Sequence, residues 1–399
     1  MLHPTEISTS ITTKESAAVP STASLKVLIA TFPHDSTAVI VDQALSRLGC
    51  EVTRWMLADF PGCQTITYSI GSEQPVAMLA NGPGIGCDLA QVDVFWRRRF
   101  SSASVNTEVL HPDDVAAARA ECNSLLTAVV GALAPNAQHI NTEAAQKKSD
   151  NKLCQLMAAK QVGLAIPATL ISNDATAIRA FIKRYASGEV VHKLLSGKTW
   201  EEQGIGFGSF TARVTVEQLP SDALLQAMPG CFQQCIAKHR EIRAVFFGDY
   251  CLAAEINSQL DPDGRDDWRA SSQRHGVWHA HTLAPEVVTK ISNYMRVMGI
   301  VFGSVDLILQ PDGTYVFLEM NEQGQFLWLE SECPELGVLD AFCRLVLEGP
   351  TFANKPRLFP RVTLADPYFS ESRIQKIIFE ESASHRICNR EGVVLFASA

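Results

Sequence analysis

Residues 303–321 read GSVDLILQPDGTYVFLEMN. Two apolar runs flank a Pro-Asp-Gly turn, a pattern that predicts a β-hairpin. Residues two apart in a strand point to the same face of the sheet, so Glu319 and Asn321 should project together. If the strands pair symmetrically about the turn, Asp306 lies opposite them. Three oxygen ligands on one face suit Mg²⁺ bound to nucleotide phosphates, but a solvated hairpin face explains the hairpin alone equally well.

The composition is that of a globular protein, with 399 residues, 46% apolar residues and a formal net charge of −9. This length suffices for two or three domains. The acidic balance and the lack of a Lys/Arg-rich run give no reason to expect a nucleic acid partner. No apolar run reaches the roughly 18 residues of a membrane span, so no membrane partner is expected either.

The eleven cysteines are scattered, and the closest pair, Cys231 and Cys235, has no second pair that would complete a zinc site. We interpret them as reduced thiols of a cytoplasmic protein. Residues 1–24 are rich in Ser, Thr and Ala but lack the apolar core of a signal peptide. They are predicted to be a disordered N-terminal segment.

The chain after residue 24 begins with alternating strands and helices. Strands are predicted at 25–31, 51–55 and 94–98, and helices at 35–48 and 112–133. This order predicts a small parallel α/β domain over residues 25–140. From residue 190 onward the pattern changes to strands, at 190–195, 210–216, 231–237, 242–247 and 252–257.

Two glycine-containing motifs almost match phosphate-binding loops. Residues 82–86 read GPGIG, but the proline and the missing strand-turn-helix context favour a simple turn over a dinucleotide fingerprint. Residues 196–199 read SGKT, yet His192 stands where a Walker loop needs its first glycine. Neither motif therefore predicts a phosphate site.

Dispersed basic residues remain as candidates for a nucleotide site. Lys193 ends a predicted strand, and Lys152 begins a helix whose N-terminus also favours phosphate. Either lysine taken alone is more often a solvated surface residue. The glycine-rich segment 197–208 could form a lid over a nucleotide.

A possible hinge and two charged residues follow in the sequence. The stretch 234–236, formed by Gln234, Cys235 and Ile236, could bind adenine through backbone groups. Glu241 could hold ribose hydroxyls. Arg243, two residues further and on the same strand face, could neutralise a transferring phosphoryl group.

This order of parts resembles the ATP-grasp ligases. More narrowly, the chain resembles the ATP-grasp enzymes that mature ribosomal peptides of the microviridin, or graspetide, type. The resemblance covers about 25–348 and rests on three motifs in particular, which are WRR at 96–98, DWR at 267–269 and GQFLW at 324–328. Two positions depart from the expected pattern: Glu322 stands where a proline follows the metal-binding Glu-x-Asn, and Gln234 stands where the hinge has an acid.

The resemblance implies an α/β fold that is α+β in its catalytic half. It implies an N-terminal pre-ATP-grasp domain over 25–140, a central subdomain with a lid over 141–235 and a C-terminal catalytic subdomain over 236–348. The tail over 349–399 has no expected role. The resemblance also implies ATP and Mg²⁺ as cofactors, a ribosomal precursor peptide with leader and core as partner, and a homodimer.

The resemblance assigns roles to the candidate residues. The expected metal ligands are Asp306, Glu319 and Asn321, and the expected ATP-binding residues are Lys152, Lys193, Gln234, Cys235, Ile236 and Glu241. Arg243 and Arg269 are expected to stabilise the transferring phosphoryl group. Arg97, Arg98, Asp267 and Trp268 are expected to bind the peptide, although the arginines could also be a solvated strand edge and Arg269 a loop ion pair.

The implied reaction makes an acyl phosphate from an Asp or Glu side chain of the peptide. A Ser or Thr hydroxyl, or a Lys amine, of the same peptide then displaces phosphate and closes an ester or amide ring. Two alternatives stay open at this point. One is an ATP-grasp ligase that joins free amino acids or extends a protein C-terminus, and the other is a nucleotide- or peptide-binding scaffold without turnover.

Overall fold

The computed structural model describes residues 24–71, 77–80, 86–100, 102–132, 137–185, 189–195, 200–202, 205–207, 211–270 and 277–385. Several predicted features lie outside them. These are residues 1–23 of the predicted disordered segment, residues 82–85 of the glycine turn, the SGKT motif at 196–199 and residues 386–399 of the tail. Of the predicted lid, the structure describes only two short strands.

The N-terminal domain is a parallel α/β unit, as predicted. Its main sheet has the order β2-β1-β6-β7 with parallel pairing, and a three-stranded antiparallel sheet β3-β4-β5 lies beside it. Asp35 caps α1, accepting a hydrogen bond from the backbone of Ala38 at 3.3 Å. The elements are β1 (Lys26–Thr31), α1 (Ser36–Arg47), β2 (Glu51–Met56), β3 (Thr65–Tyr68), β4 (Ala77–Ala80), β5 (Gly86–Asp88), β6 (Val94–Arg97), α2 (Val115–Gly131) and β7 (Gln138–Ile140).

The central unit is built on a small antiparallel sheet of order β12-β9-β13-β8. Helix α5 covers one face, where Ile178 and Ile182 pack on Val190 and Phe232. The elements are α3 (Glu143–Ser149), α4 (Lys152–Gln161), β8 (Thr169–Ser172), α5 (Ala175–Arg184), β9 (Val190–Lys193), β10 (Trp200–Glu202), β11 (Ile205–Phe207), β12 (Ala212–Arg213), α6 (Asp222–Ala227) and β13 (Gly230–Gln234).

The C-terminal unit is a five-stranded antiparallel sheet of order β16-β15-β14-β17-β18. One face packs on helix α7, and part of the other packs on α8 and α9. The elements are β14 (Arg240–Phe247), β15 (Tyr250–Ile256), β16 (His279–His281), α7 (Pro285–Met298), β17 (Phe302–Leu309), β18 (Tyr315–Asn321), α8 (Trp328–Glu332), α9 (Val338–Glu348) and α10 (Glu371–His385). Among the residues that the structure describes, no helix is long and apolar enough to cross a membrane.

Helices α3 and α4 do not pack on the central sheet. Ala145, Ala158 and Ala159 lie in one apolar cluster with Ile242 of β14 and Ile291 of α7, so the two helices cover the large sheet. The predicted central subdomain, over residues 141–235, included both helices because they precede its strands in sequence. We propose a boundary near residue 167 instead, since apolar contacts rather than chain order define a folding unit.

The described part of the tail is an ordered strap that joins the two ends of the molecule. The buried carboxylate of Glu330 accepts hydrogen bonds from the backbone of Leu339 at 2.7 Å and of Leu364 at 2.8 Å. Ile374 and Ile378 of α10 then pack on Val39 of α1. The segment over 350–385 therefore ties the C-terminal unit to the N-terminal domain.

Candidate active site

A cleft of about 380 Å³ lies between the small central sheet and the large C-terminal sheet. It brings together most of the predicted site residues, which come from segments far apart in the chain. The predicted residues that line it are Lys193, Gln234, Cys235, Ile236, Glu241, Arg243, Asp267, Trp268, Arg269, Asp306, Glu319 and Asn321. Arg97, Arg98 and Lys152 are not among its lining residues.

The acidic hairpin has the predicted geometry. Asp306 pairs directly with Glu319 across β17 and β18, and Asn321 pairs with Ser304. The register shifts between Asp306 and Leu307, so the hairpin is not symmetric over its whole length. The prediction that Asp306 lies opposite the Glu-x-Asn pair is confirmed.

The carboxylates of Glu319 and Asp306 are each paired with a cation. Lys152 Nζ donates to Glu319 Oε2 at 2.9 Å, and Arg243 Nη1 donates to Asp306 Oδ1 at 2.8 Å. Burial by itself would raise the pKa of Glu319, but the charges of Lys152 and Lys193 outweigh it and hold this pKa well below its usual range. Glu319 is therefore ionised at neutral pH and has the charge that a metal ligand needs.

Lys193 faces the same carboxylate from the central sheet. Desolvation and the neighbouring Lys152 lower its pKa, while Glu319 opposes them. Two lysines thus converge on one acid from two different domains. An additional anion placed between them, such as a phosphate, would relieve the repulsion between the lysines.

The proposed hinge uses two of its backbone donors internally. The N–H of Gln234 donates to the carbonyl of Ala168 at 2.9 Å, and that of Cys235 donates to Glu189 at 2.6 Å. These two N–H groups cannot donate to adenine without breaking those bonds. Fewer backbone groups of 234–236 are therefore available to bind adenine than predicted. Strand β13 ends at Gln234, three residues earlier than the predicted 231–237.

The proposed ribose acid has a partner that sequence reasoning did not identify. Lys238 Nζ donates to Glu241 Oε1 at 3.0 Å and to the carbonyl of Asp266 at 2.8 Å. Burial raises the pKa of Glu241, and Lys238 opposes that effect. Lys238 lies five residues before Arg243 in a charged run, and this is the signal that could have identified it.

The DWR motif forms a short, self-contained arrangement at the cleft. Asp267 accepts from Arg269 Nε at 2.8 Å and from Arg269 Nη2 at 2.7 Å. These hydrogen bonds raise the pKa of Arg269 above its ordinary value, and the charges of Asp306 and Glu319 add to the effect. The carboxylate of Asp267 is thus engaged in orienting Arg269, in contrast to the expected role in binding the peptide.

Arg98 does not face the cleft. Its side chain is fully buried in an ion pair with Asp35, with Nε and Oδ2 3.1 Å apart. Its Nη1 also donates to the carbonyls of Gln323 and Gly324, the latter at 3.2 Å. The expectation that Arg98 meets acidic side chains of a substrate is therefore corrected, because a buried guanidinium with these partners positions the 323–325 loop.

Arg97 also departs from the expected role, and Arg99 takes its place at the cleft. The Arg97 guanidinium donates to Gln146 and lies over the ring of Phe100, 4.1 Å from its centroid. Arg99 lines the cleft together with Arg243 and Arg269. The third arginine of the run 97–99 is thus the one available to a ligand.

Replacing Arg98 by Ala should destabilise the protein by about 3–5 kcal/mol, because it leaves Asp35 buried without its counter-charge. Urea unfolding measures this loss. Arg47→Ala is the control, since the Arg47–Asp366 pair is exposed and should contribute less than about 1 kcal/mol. Equal losses in the two variants would contradict the assignment of Arg98 to a buried anchoring role.

Gly324 lets the loop approach the charged residues closely. A Cβ at this position would lie 2.8 Å from Arg243 Nη2 and 3.1 Å from Asn321 Cγ. Gly324→Ala should therefore shift the Arg243 guanidinium from Asp306 and lower turnover about ten- to a hundredfold. Steady-state ADP release measures the loss of turnover. Gly131→Ala is the matched control, because a Cβ there meets nothing within 4 Å, and a similar loss in both variants would contradict the prediction.

Several solved structures have a fold similar to that of this chain. A RiPP-associated ATP-grasp ligase from Chryseobacterium gregarium, in complex with ADP and a leader and core peptide, has a TM-score of 0.75 at 26% identity, and the match covers 85% of this chain and 99% of that chain. The macrocyclase MdnC from Microcystis aeruginosa MRC, bound with precursor peptide MdnA, has a TM-score of 0.70 at 26% identity over 81% of this chain and 99% of that chain. The chain has the fold of an ATP-grasp ligase and is similar to those that mature ribosomal peptides.

Further comparisons agree on the fold of this ATP-grasp ligase. The macrocyclase MdnB from Microcystis aeruginosa MRC matches with a TM-score of 0.66 at 27% identity, over 81% of this chain and 99% of that chain. No model of a protein family matches the sequence, and no curated protein sequence matches it. The predicted fold class is confirmed, with mixed helices and sheets in an ATP-grasp arrangement.

The residues of this ATP-grasp ligase fit a magnesium ion better than a transition metal. Within the described ranges, no group of three or more His, Cys, Asp or Glu side chains is arranged to hold a metal ion. The hairpin offers two carboxylates and one amide, and hard oxygen ligands of this kind, few in number, suit an Mg²⁺ that is also held by phosphates. Cys231 and Cys235 are free thiols.

Proposed function

We propose that this ATP-grasp ligase activates Asp or Glu side chains of a ribosomal precursor peptide as acyl phosphates and closes ω-ester or ω-amide rings. The observation that carries the proposal is the meeting of opposite charges in one cleft, where Asp306 and Glu319 are each paired with a cation from another element. A ligand that brings phosphates and Mg²⁺ can exchange with these pairs. Such a site is suited to joining two anions.

In this proposal the protein residues bind and orient the nucleotide and neutralise the charge of its phosphates. Lys152 and Lys193 hold phosphate oxygens once a nucleotide separates them from Glu319. Asp306, Glu319 and Asn321 would hold Mg²⁺, which would supply positive charge to neutralise the phosphates. Glu241, kept in place by Lys238, binds ribose hydroxyls.

The arginines act on the peptide side of the cleft. Arg243 and Arg269 stabilise the charge of the transferring phosphoryl group and of the acyl phosphate. Arg99, which lines the same cleft, holds the carboxylate of the peptide before transfer. Three guanidinium groups in the same cleft would allow an anionic side chain to approach an anionic phosphate.

The proposal extends to partners and assembly. The Chryseobacterium gregarium ligase was solved with a leader and core peptide, and PsnB, which shares the fold at 19% identity, was solved with a minimal precursor, Mg and ADP. By analogy we propose a precursor peptide with leader and core, ATP and Mg²⁺ for this chain. A cytoplasmic homodimer completes the proposal, and sedimentation in solution tests the assembly.

Mass spectrometry of the peptide tests the function. The probe is the peptide encoded by a short reading frame beside the gene that has a leader followed by Thr and acidic residues. After incubation with enzyme, ATP and Mg²⁺, each ring should remove one water from its mass, and ADP release should depend on the peptide. ADP release that depends instead on free amino acids would favour an amino-acid ligase, and no ADP under any condition would favour a scaffold.

A further inference from the structure

Three indole rings meet at the end of the cleft and form what we call the tryptophan wall, made of Trp268, Trp278 and Trp328. The ring centroids of Trp268 and Trp278 are 5.1 Å apart, those of Trp278 and Trp328 are 5.1 Å apart, and those of Trp268 and Trp328 are 5.5 Å apart. All three rings line the cleft that contains Arg243 and Asp306. Three separate segments of the chain thus contribute to one aromatic surface.

The tryptophan wall is joined to the residues proposed to handle the phosphoryl group. Trp328 Nε1 donates to the carbonyl of Gln325 at 3.2 Å, and Arg243 Nη2 donates to the same carbonyl at 3.3 Å. Trp268 directly precedes Arg269, whose guanidinium is fixed by Asp267. The wall therefore stands next to both arginines.

The wall is also anchored from behind. Trp278 is 4% exposed and belongs to the main apolar cluster, against which Trp268 and Trp328 pack while remaining half-buried. A large apolar surface held in this way presents a fixed, apolar boundary to the cleft. The hydrogen-bond donor of Trp328 is already engaged with Gln325, so its indole has no free donor for water.

We propose that the tryptophan wall protects the acyl phosphate from hydrolysis until the peptide nucleophile reaches it. This inference rests on the proposed function. A hydroxyl or amine of the peptide attacks the acyl carbon, forms the ester or amide bond and releases phosphate. Water attacking the same carbon instead restores the carboxylate and releases phosphate, so one ATP is consumed without a ring. Excluding water from a reactive intermediate decides between these outcomes.

The test is the number of ADP molecules released per ring closed, with the peptide from the neighbouring reading frame as probe. In Trp328→Ala and in Trp268→Ala this ratio should rise about threefold or more over the unmodified enzyme. Trp328→Phe keeps an apolar ring and should restore the ratio. Tyr250→Ala is the matched control, since Tyr250 packs on Phe352 and is not among the residues lining the cleft.

The result separates this inference from the function on which it rests. A fall in rate with an unchanged ratio in both Ala variants would overturn the role of the wall and leave the ligase function standing. An unmodified enzyme that releases no ADP with the peptide would overturn the proposed function itself. Melting temperatures of the variants are measured alongside, and Trp268→Leu or Trp328→Leu replaces the Ala variant at that position if it fails to fold.

Discussion

Glu319→Gln should lower peptide-dependent ADP release about a thousandfold. The change removes one negative charge from a position where Lys152 lies 2.9 Å away and Lys193 also faces the acid. The two lysines then repel each other, and the metal site loses an anionic ligand. Residual activity should need more Mg²⁺, because a neutral amide binds this cation more weakly than a carboxylate does.

A titration with Mg²⁺ separates this effect from a general loss of structure. Asp312→Asn is the control, since Asp312 lies in the turn of the same hairpin, where it accepts from the backbone of Thr314 at 2.9 Å. It should leave both the rate and the Mg²⁺ dependence unchanged. If Glu319→Gln kept the Mg²⁺ dependence of the unmodified enzyme, Glu319 would not be a metal ligand.

Arg243→Ala should lower turnover about a hundredfold or more, with a much smaller change in nucleotide binding. Its guanidinium joins Asp306 to the carbonyl of Gln325, so the charge lies between strand β17 and the tryptophan wall. This is the place where an acyl phosphate would form. The loss should therefore appear in the chemical step, which single-turnover kinetics measures.

Arg240→Ala provides the matched control for Arg243. Arg240 lies on the same strand β14, but its Nε pairs with Glu255 at 3.4 Å, outside the cleft. Its removal should leave turnover close to that of the unmodified enzyme. A comparable loss in both variants would mean that Arg243 acts through the stability of the strand, and the proposed role would then be withdrawn.

Local patterns predicted the parts of the site that lie on one hairpin or one strand. The alternation of side chains placed Glu319 and Asn321 together, and the turn at 311–313 placed Asp306 opposite them. The start of α1 near residue 35 followed from the same kind of local reasoning, and Asp35 caps the helix. These features depend on neighbours in sequence, so one chain was enough to predict them.

Features that depend on distant partners could not be predicted in this way. Arg98 is buried because Asp35, 63 positions away in sequence, supplies its counter-charge, and nothing local to the run 97–99 shows which arginine faces the cleft. For the same reason the sequence did not show that the backbone N–H groups of the hinge donate to Ala168 and Glu189. Contacts with residues far away in sequence determine the partners of these residues.

The tail was the part of the described chain that the sequence explained least. Its prolines and mixed composition show no helical or strand period before α10. The buried acids Glu330 and Asp340 nevertheless fix its path, with Asp340 accepting from the backbone of Val362 at 3.1 Å and from Arg357 at 2.8 Å. Glu330 and Asp340 lie within two helices, and nothing in the local sequence indicated that they bind a later segment.

The strap formed by residues 350–385 sets the order in which a growing chain can complete its fold. Arg54 pairs with Glu381, 327 positions later, and Ile374 and Ile378 of α10 pack on Val39 of α1. The N-terminal domain therefore keeps this apolar stripe uncovered on the ribosome until residues 374–378 have been made. Exposed apolar surface promotes aggregation, so the chain should be more prone to aggregate before this segment is made.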